Sequence, residues 1–321
     1  MATDDRECIV RPAKNIDEAA RLWWPFMQVL GWNRAEKDII THYAAATRHI
    51  GPAGWLHVAS KSRPDEAQGC VVAFVFDNKT GWVGFFCVKE PVRGLGWGSA
   101  LFKRLLEEFT KAGVEYVGLD GVEEQVKTYE RRGFVDTALV RLMTRKGVME
   151  VPLADGFAHA SGHERLVPLE DIPTEVLVAS DLSITGFERS TTWSKEALFD
   201  RDDAWGLALI REGVKEDLEG WILVRSCEHG FRFGPLYAQT KQDARFLLHQ
   251  AMYRLQGSKG DYIAEVWPQN PAAVEVFEEL GWAWCKIDYH RMWLNGNVPA
   301  AQLAGGKAEK EMFAIFDAAQ S

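Results

Sequence analysis

The chain has 321 residues, 47% of them hydrophobic and 26% charged, which is enough for two domains with ordinary cores and too apolar for a disordered protein. A formal net charge of -9 works against a nucleic-acid partner, whose phosphates would be repelled. No apolar run approaches the ~18 residues of a membrane span, and the first residues are acidic where a secretory leader would be basic.

Residues 8–13 read as a short first strand. Asn15, with Glu18 three residues on, predicts a helix cap before the run from Ala19 to Leu30. Trp23, Trp24, Phe26 and Met27 lie in that run, and Pro25 is expected to bend or end its first part. Two β-rich runs follow, Trp55 to Ala59 and Gly69 to Phe76, and a turn over residues 77–81 leads into a strand from Trp82 to Val88. After a turn at Lys89 to Pro91 comes the loop Arg93, Gly94, Leu95, Gly96, Trp97, Gly98, Ser99. A helix is predicted from Ser99 to Ala112, with Leu101, Leu105, Phe109 and Ala112 on one face and Phe102 and Leu106 alongside. A strand from Tyr116 to Leu119 closes at Asp120. The alternation from Phe134 to Arg145 predicts paired strands ending a first domain, and the small, turn-rich residues from Ala154 to His163 read as a linker.

The alternating glycines let the backbone curl with its N–H groups inward, because no Cβ opposes positive φ. At a helix N-terminus those groups and the helix dipole suit a pyrophosphate. A Walker loop is excluded, since no Gly-Lys-Ser/Thr follows. A dinucleotide loop needs its third glycine one residue later than Gly98, and belongs in an opening βαβ unit rather than after several strands. The five cysteines are far apart with no C-x-x-C pair, which fits reduced thiols in the cytoplasm, and the eight histidines have no metal-binding spacing, so no metal is expected.

Arg93, Gly96 and Gly98 fit the pattern Arg/Gln-x-x-Gly-x-Gly/Ala, and the loop resembles the pyrophosphate loop of the GCN5-related N-acetyltransferase (GNAT) superfamily. Tyr129 to Phe134 (Tyr-Glu-Arg-Arg-Gly-Phe) is similar to that family's second motif, whose tyrosine protonates the departing thiolate. The family's usual Asn and Ala are replaced by Val122 and Gln125, which leaves Tyr129 in register. The resemblance implies a mixed α+β fold with a twisted, mostly antiparallel sheet flanked by helices. It implies acetyl-CoA as cosubstrate, held by the backbone of Cys87 and Val88 and by the loop from Arg93 to Ser99. It also brings the early helical region to the acceptor pocket, making Trp24 and Trp32 candidates there. Phe85 and Phe86 occupy the strand that often carries a base in the family, so Asp120 and Glu124 are the nearest candidate bases.

From Arg165 onward the plan repeats in order. Trp205 to Ile210 and Gly220 to Arg225 predict a hairpin through an acidic turn, and Gly230 to Tyr237 the central strand. Thr240 to Leu255 is an amphipathic helix, Tyr262 to Trp267 a strand, and Asn270 to Trp282 a second-motif segment. His290 to Trp293 answers Val140 to Met143, and Met312 to Phe316 is a candidate last strand. This copy has Ala238 to Asp243 in place of the glycine loop and Phe277 in place of Tyr129. The expected organisation is therefore two tandem GNAT folds: residues 1–150 with the acetyl-CoA site, a linker over 151–163, and a degenerate domain over 164–321 that shapes the acceptor pocket or covers the first domain. The expected activity is direct acetyl transfer, in a ternary complex, to a primary amine of a small molecule or lysine-like acceptor, by a monomer or homodimer. Two alternatives stand beside it: an acyl-CoA-binding sensor or scaffold without turnover, and a nucleotide-dependent oxidoreductase.

Overall fold

The computed structural model describes residues 7–147, 150–151, 164–211 and 217–321. Nearly all of the expected linker and the acidic turn at 212–216 lie outside the described residues. The amino-terminal half runs β1 (Cys8–Pro12), α1 (Ile16–Leu30), α2 (Asp38–Ile50), β2 (Trp55–Ser60), β3 (Ala67–Val75), β4 (Thr80–Val88), α3 (Trp97–Lys111), β5 (Tyr116–Val122), α4 (Val126–Glu130) and β6 (Phe134–Lys146). The carboxy-terminal half runs β7 (Glu164–Pro168), α5 (Thr174–Thr185), β8 (Ala204–Arg211), β9 (Asp217–Cys227), β10 (Gly230–Ala238), α6 (Lys241–Arg254), β11 (Asp261–Val266), α7 (Pro271–Glu279), β12 (Ala283–Leu294), α8 (Ala308–Glu311) and β13 (Met312–Ala314).

Local signals set these elements. The Asn15 side chain accepts from Glu18 N at 2.9 Å, and the Glu18 carboxylate reaches back to Lys14 N at 2.6 Å, a reciprocal cap that starts α1. Pro25 does not end the first part of α1, which runs unbroken through it. The missing N–H would have bonded the carbonyl of Arg21, and both residues are exposed, so water can serve that carbonyl. In α3, Leu101, Leu105 and Phe109 are buried against Val71, Val83 and Val117. On the other face of the sheet, α1 and α2 pack Trp23, Phe26 and Ala46 against Trp55 and Phe74. The carboxy-terminal half repeats the layering, with Ala244, Leu247, Leu248, Ala251 and Met252 of α6 buried against its strands.

All thirteen strands join one sheet in the order β1-β2-β3-β4-β5-β12-β6-β11-β13-β10-β9-β8-β7. Residues 134–145 therefore do not form paired strands closing the first half. They form one long strand, β6, which lies antiparallel to β11 of the second half from Lys146↔Asp261 to Arg141↔Val266. In exchange, β12 of the second half lies antiparallel to β5 of the first, from Tyr289↔Val122 to Trp293↔Gly118. The two exchanged strands also pair with each other. Alternation identifies a strand; it carries no information about which neighbour the strand will choose.

Candidate active site

The parallel pairing of β4 with β5 stops early. It covers Thr80↔Tyr116 to Trp82↔Gly118, although β4 continues to Val88 and β5 to Val122. A bulge causes the divergence: the β3–β4 register shifts between Cys70↔Cys87 and Val72↔Gly84, and Phe85 adopts φ +50°. Beyond it, Lys89 N bonds Gln68 O of the strand edge on the β3 side at 2.8 Å. By antiparallel alternation, the backbone groups of Val88 then face away from β3 and into the opening. Arg93 Nε donates to Val88 O at 3.1 Å there. The result is a wedge with an unpaired strand edge.

The glycine loop closes the wide end of the wedge. Gly94 and Gly96 take φ +77° and +85°, with open space where a Cβ would stand. Gly96 is the N-cap of α3 and has no side chain to cap the helix, so the positive end of the helix dipole faces the loop, where it favours an anion. Trp97 is buried and anchors the turn, while Leu95 and Ser99 are exposed. A Cβ on Gly98 would lie 3.4 Å from the Phe86 ring. Cys87 is buried, and burial pushes its thiol up to about 12, so this cysteine stays protonated.

The matching places in the second half are filled. The opening between β10 and β11 holds β13, which pairs with Leu236 and Tyr237 on one side and Val266 on the other. The N-terminus of α6 is closed by Thr240, whose hydroxyl accepts from Asp243 N at 3.1 Å. Phe277 stands buried against Trp282.

A cavity of about 330 Å³ opens between the halves at the narrow end of the wedge. Tyr129, Asp120 and Trp32 line it; Trp24 packs into the α1 core instead, and Glu124 is exposed on the turn after β5, outside the lining. The Tyr129 ring is buried beside Phe102 and Phe134, and burial, with Cys87 nearby, pushes its phenol up. Asp120 is held by Arg291 of β12, with Nε at 2.9 Å and Nη2 at 2.7 Å. Burial raises the Asp120 carboxyl to about 6; Arg291 opposes this, and the nearby Glu265 and Asp317 add to it.

Several lining residues carry no motif in the sequence: Arg34 after α1, Arg232 of β10, Glu265 of β11, and Ile287 and Tyr289 of β12. The ordered repeat was the available signal, since it implied that the second half helps to shape the pocket. Residues 315–321 thread through the same interface. Trp82 Nε1 donates to Ala318 O at 3.0 Å, and a Cβ on Gly84 would collide with the carbonyl of Ala319, so only glycine lets the segment approach β4. Among the described residues, no helix is long and apolar enough to cross a membrane, and no group of three or more His, Cys, Asp or Glu could hold a metal ion.

Comparison with known proteins agrees with this geometry. The Acetyltransferase (GNAT) family model matches residues 16–134, and the Acetyltransferase (GNAT) domain model matches residues 181–302. A holothin acyltransferase of Pseudoalteromonas sp. (strain SANK 73390) is 24% identical over 177 residues, 55% of this chain and 54% of that protein, so the chain matches about half of that relative's length. A Pyrococcus horikoshii protein, provisionally described as an acetyltransferase, superposes with a TM-score of 0.73 at 22% identity, covering 98% of this chain and 96% of that one. A tandem GNAT protein from the clavulanic acid biosynthesis pathway superposes with a TM-score of 0.64 at 17% identity, over 89% of this chain and 98% of that one. With a GNAT match on each half and a sheet that repeats the same order of elements, the chain belongs to the GNAT acetyltransferases as a tandem, two-domain member.

Proposed function

We propose that the protein transfers an acetyl group from acetyl-CoA to a primary amine, by direct transfer with both substrates bound in the wedge of the amino-terminal half and the cavity between the halves. The observation that carries this reading is an alignment. An unpaired strand edge runs between an uncapped helix N-terminus at the wide end of the wedge and a phenol lining the cavity at its narrow end. Val88 of β4 offers backbone to an extended pantetheine arm, whereas the backbone of Cys87, the other expected contact, is turned toward β3 by the same alternation; the Arg93–Ser99 loop with the first turn of α3 suits the diphosphate.

Acetyl-CoA would supply an activated acyl carbon: the amine nitrogen forms a bond to that carbon as the carbon–sulfur bond breaks. Asp120, ionised above about 6, takes the proton that the amine loses, directly or through water. Tyr129, kept neutral by burial, gives a proton to the departing sulfur. Holding both reactants in one cavity supplies much of the rate by positioning. The test is a screen of amine pools with acetyl-CoA, reading thiol release and product mass together. A protein that binds acetyl-CoA but releases no thiol with any amine would be a sensor and not this enzyme.

A further inference from the structure

We infer that the acceptor is a monoamine whose remaining skeleton is apolar and carries a flat aromatic or heteroaromatic ring, and not a polyamine, a lysine side chain or an amino sugar. The inference rests on the acyl-transfer reading above and assigns the substrate class of that site. The first observation is that every charged side chain lining the cavity is already paired. Arg34 is bound by both carboxylate oxygens of Asp317. Arg232 donates to Glu265 Oε1 at 2.5 Å, and the other Glu265 oxygen accepts from Ala318 N at 2.6 Å. Asp120 is held by two nitrogens of Arg291. A polyamine or a sugar loses its hydration on entry and must be repaid by unpaired carboxylates or a set of free polar groups. A monoamine needs only one partner for its nitrogen, which the remaining lone pair of an Asp120 oxygen can supply while Arg291 stays bound.

The second observation is the rest of the wall. Trp32, Phe85, Phe86 and Tyr289 contribute aromatic surface, with Leu142 and Ile263 beside them. The rim is apolar as well: Leu30 is 39% exposed, and Ile287 is 45% exposed on a bulge of β12, where the register shifts between Trp284 and Asp288. Such a site gains from removing flat apolar area from water and gives little to a second charge.

The experiment uses the full chain with acetyl-CoA and four amines: 2-phenylethylamine, spermidine, an Nα-blocked lysine and glucosamine. Thiol release and product mass are read for each, and acetyl-CoA affinity is measured separately by calorimetry. The expected result is a kcat/KM for 2-phenylethylamine at least about tenfold above the other three, the scale on which apolar pockets discriminate. In Ile287→Glu, a change at an exposed position, that advantage should shrink by about tenfold or invert toward spermidine while acetyl-CoA affinity holds. Preference for spermidine, lysine or glucosamine would overturn the inference and leave acyl transfer standing. Acetyl-CoA binding without thiol release for any amine would overturn acyl transfer itself.

Discussion

Replacing Tyr129 by Phe separates chemistry from packing. The ring keeps its neighbours, with centroids 6.0 Å from Phe102 and 6.3 Å from Phe134. The hydroxyl has no hydrogen-bond partner among the described residues, so its removal strands no donor or acceptor. Unfolding free energy should therefore move by no more than about 0.5 kcal/mol. The second half already carries this solution, since Phe277 is fully buried with its ring 5.1 Å from Trp282. Loss of a positioned general acid costs roughly a hundredfold in rate, about 2.7 kcal/mol of barrier. The expected result is a kcat lowered by about two orders of magnitude, with acetyl-CoA affinity and melting temperature unchanged. Steady-state thiol release, calorimetry and a thermal melt read the three quantities. A kcat within about threefold of the parent would refute the acid role. A melt lowered by many degrees would instead refute the assignment of a hydroxyl with no structural bond.

If Asp120 is the base, kcat/KM should climb as pH rises through about 6, because only the ionised carboxylate accepts a proton; a flat profile between pH 5 and 7 would argue against it. Asp120→Asn removes the counter-charge of buried Arg291 and should cost about 3–5 kcal/mol of stability, visible as a lowered denaturant midpoint. Gly96→Ala places a side chain at φ +85°, costing about 1–2 kcal/mol and weakening acetyl-CoA binding in calorimetry. Thr240→Ala should cost about 1 kcal/mol through the lost cap of α6 and leave acetyl-CoA affinity untouched, so equal effects on affinity would contradict the assignment of the two halves. Glu18 is held down to about 2, chiefly by its bond to Arg11. Its contribution to stability is thus fully present above about 4.5 and lost as pH falls toward 2. Acid unfolding of Glu18→Gln should have a shallower slope across that window, and an unchanged slope would count against the Arg11 pair.

What the sequence disclosed was local. The Asn15 cap, the glycine loop and the apolar stripe of α6 each depend on residues within a turn or two, and the helical period or cap chemistry marks them. Helix α2 escaped because its start at Lys37 has no capping side chain, and α5 because its N-cap is Pro173, again with no side-chain bond, and its apolar residues do not gather on one face. The cavity was half legible. Tyr129 and Asp120 stand in or beside a motif, whereas Arg232, Glu265 and Arg291 reach the site only through the sheet order. Glu124 and Trp24 are near neighbours in sequence of lining residues Gln125 and the α1 end, yet helix and turn geometry turns them elsewhere.

The strand exchange explains why a half that has filled its own wedge persists. An amino-terminal half alone would expose the edge of β5 that β12 now covers, and an open edge of that length invites wrong pairing. It would also take Arg291 from Asp120, which pairs with it across that edge. Arg291 comes from the same strand that supplies Ile287 and Tyr289 to the cavity. The strand that completes the sheet therefore also holds the proposed base and forms one wall of the acceptor site. Loss of β12 would remove the fold's continuity, the counter-charge and the wall together.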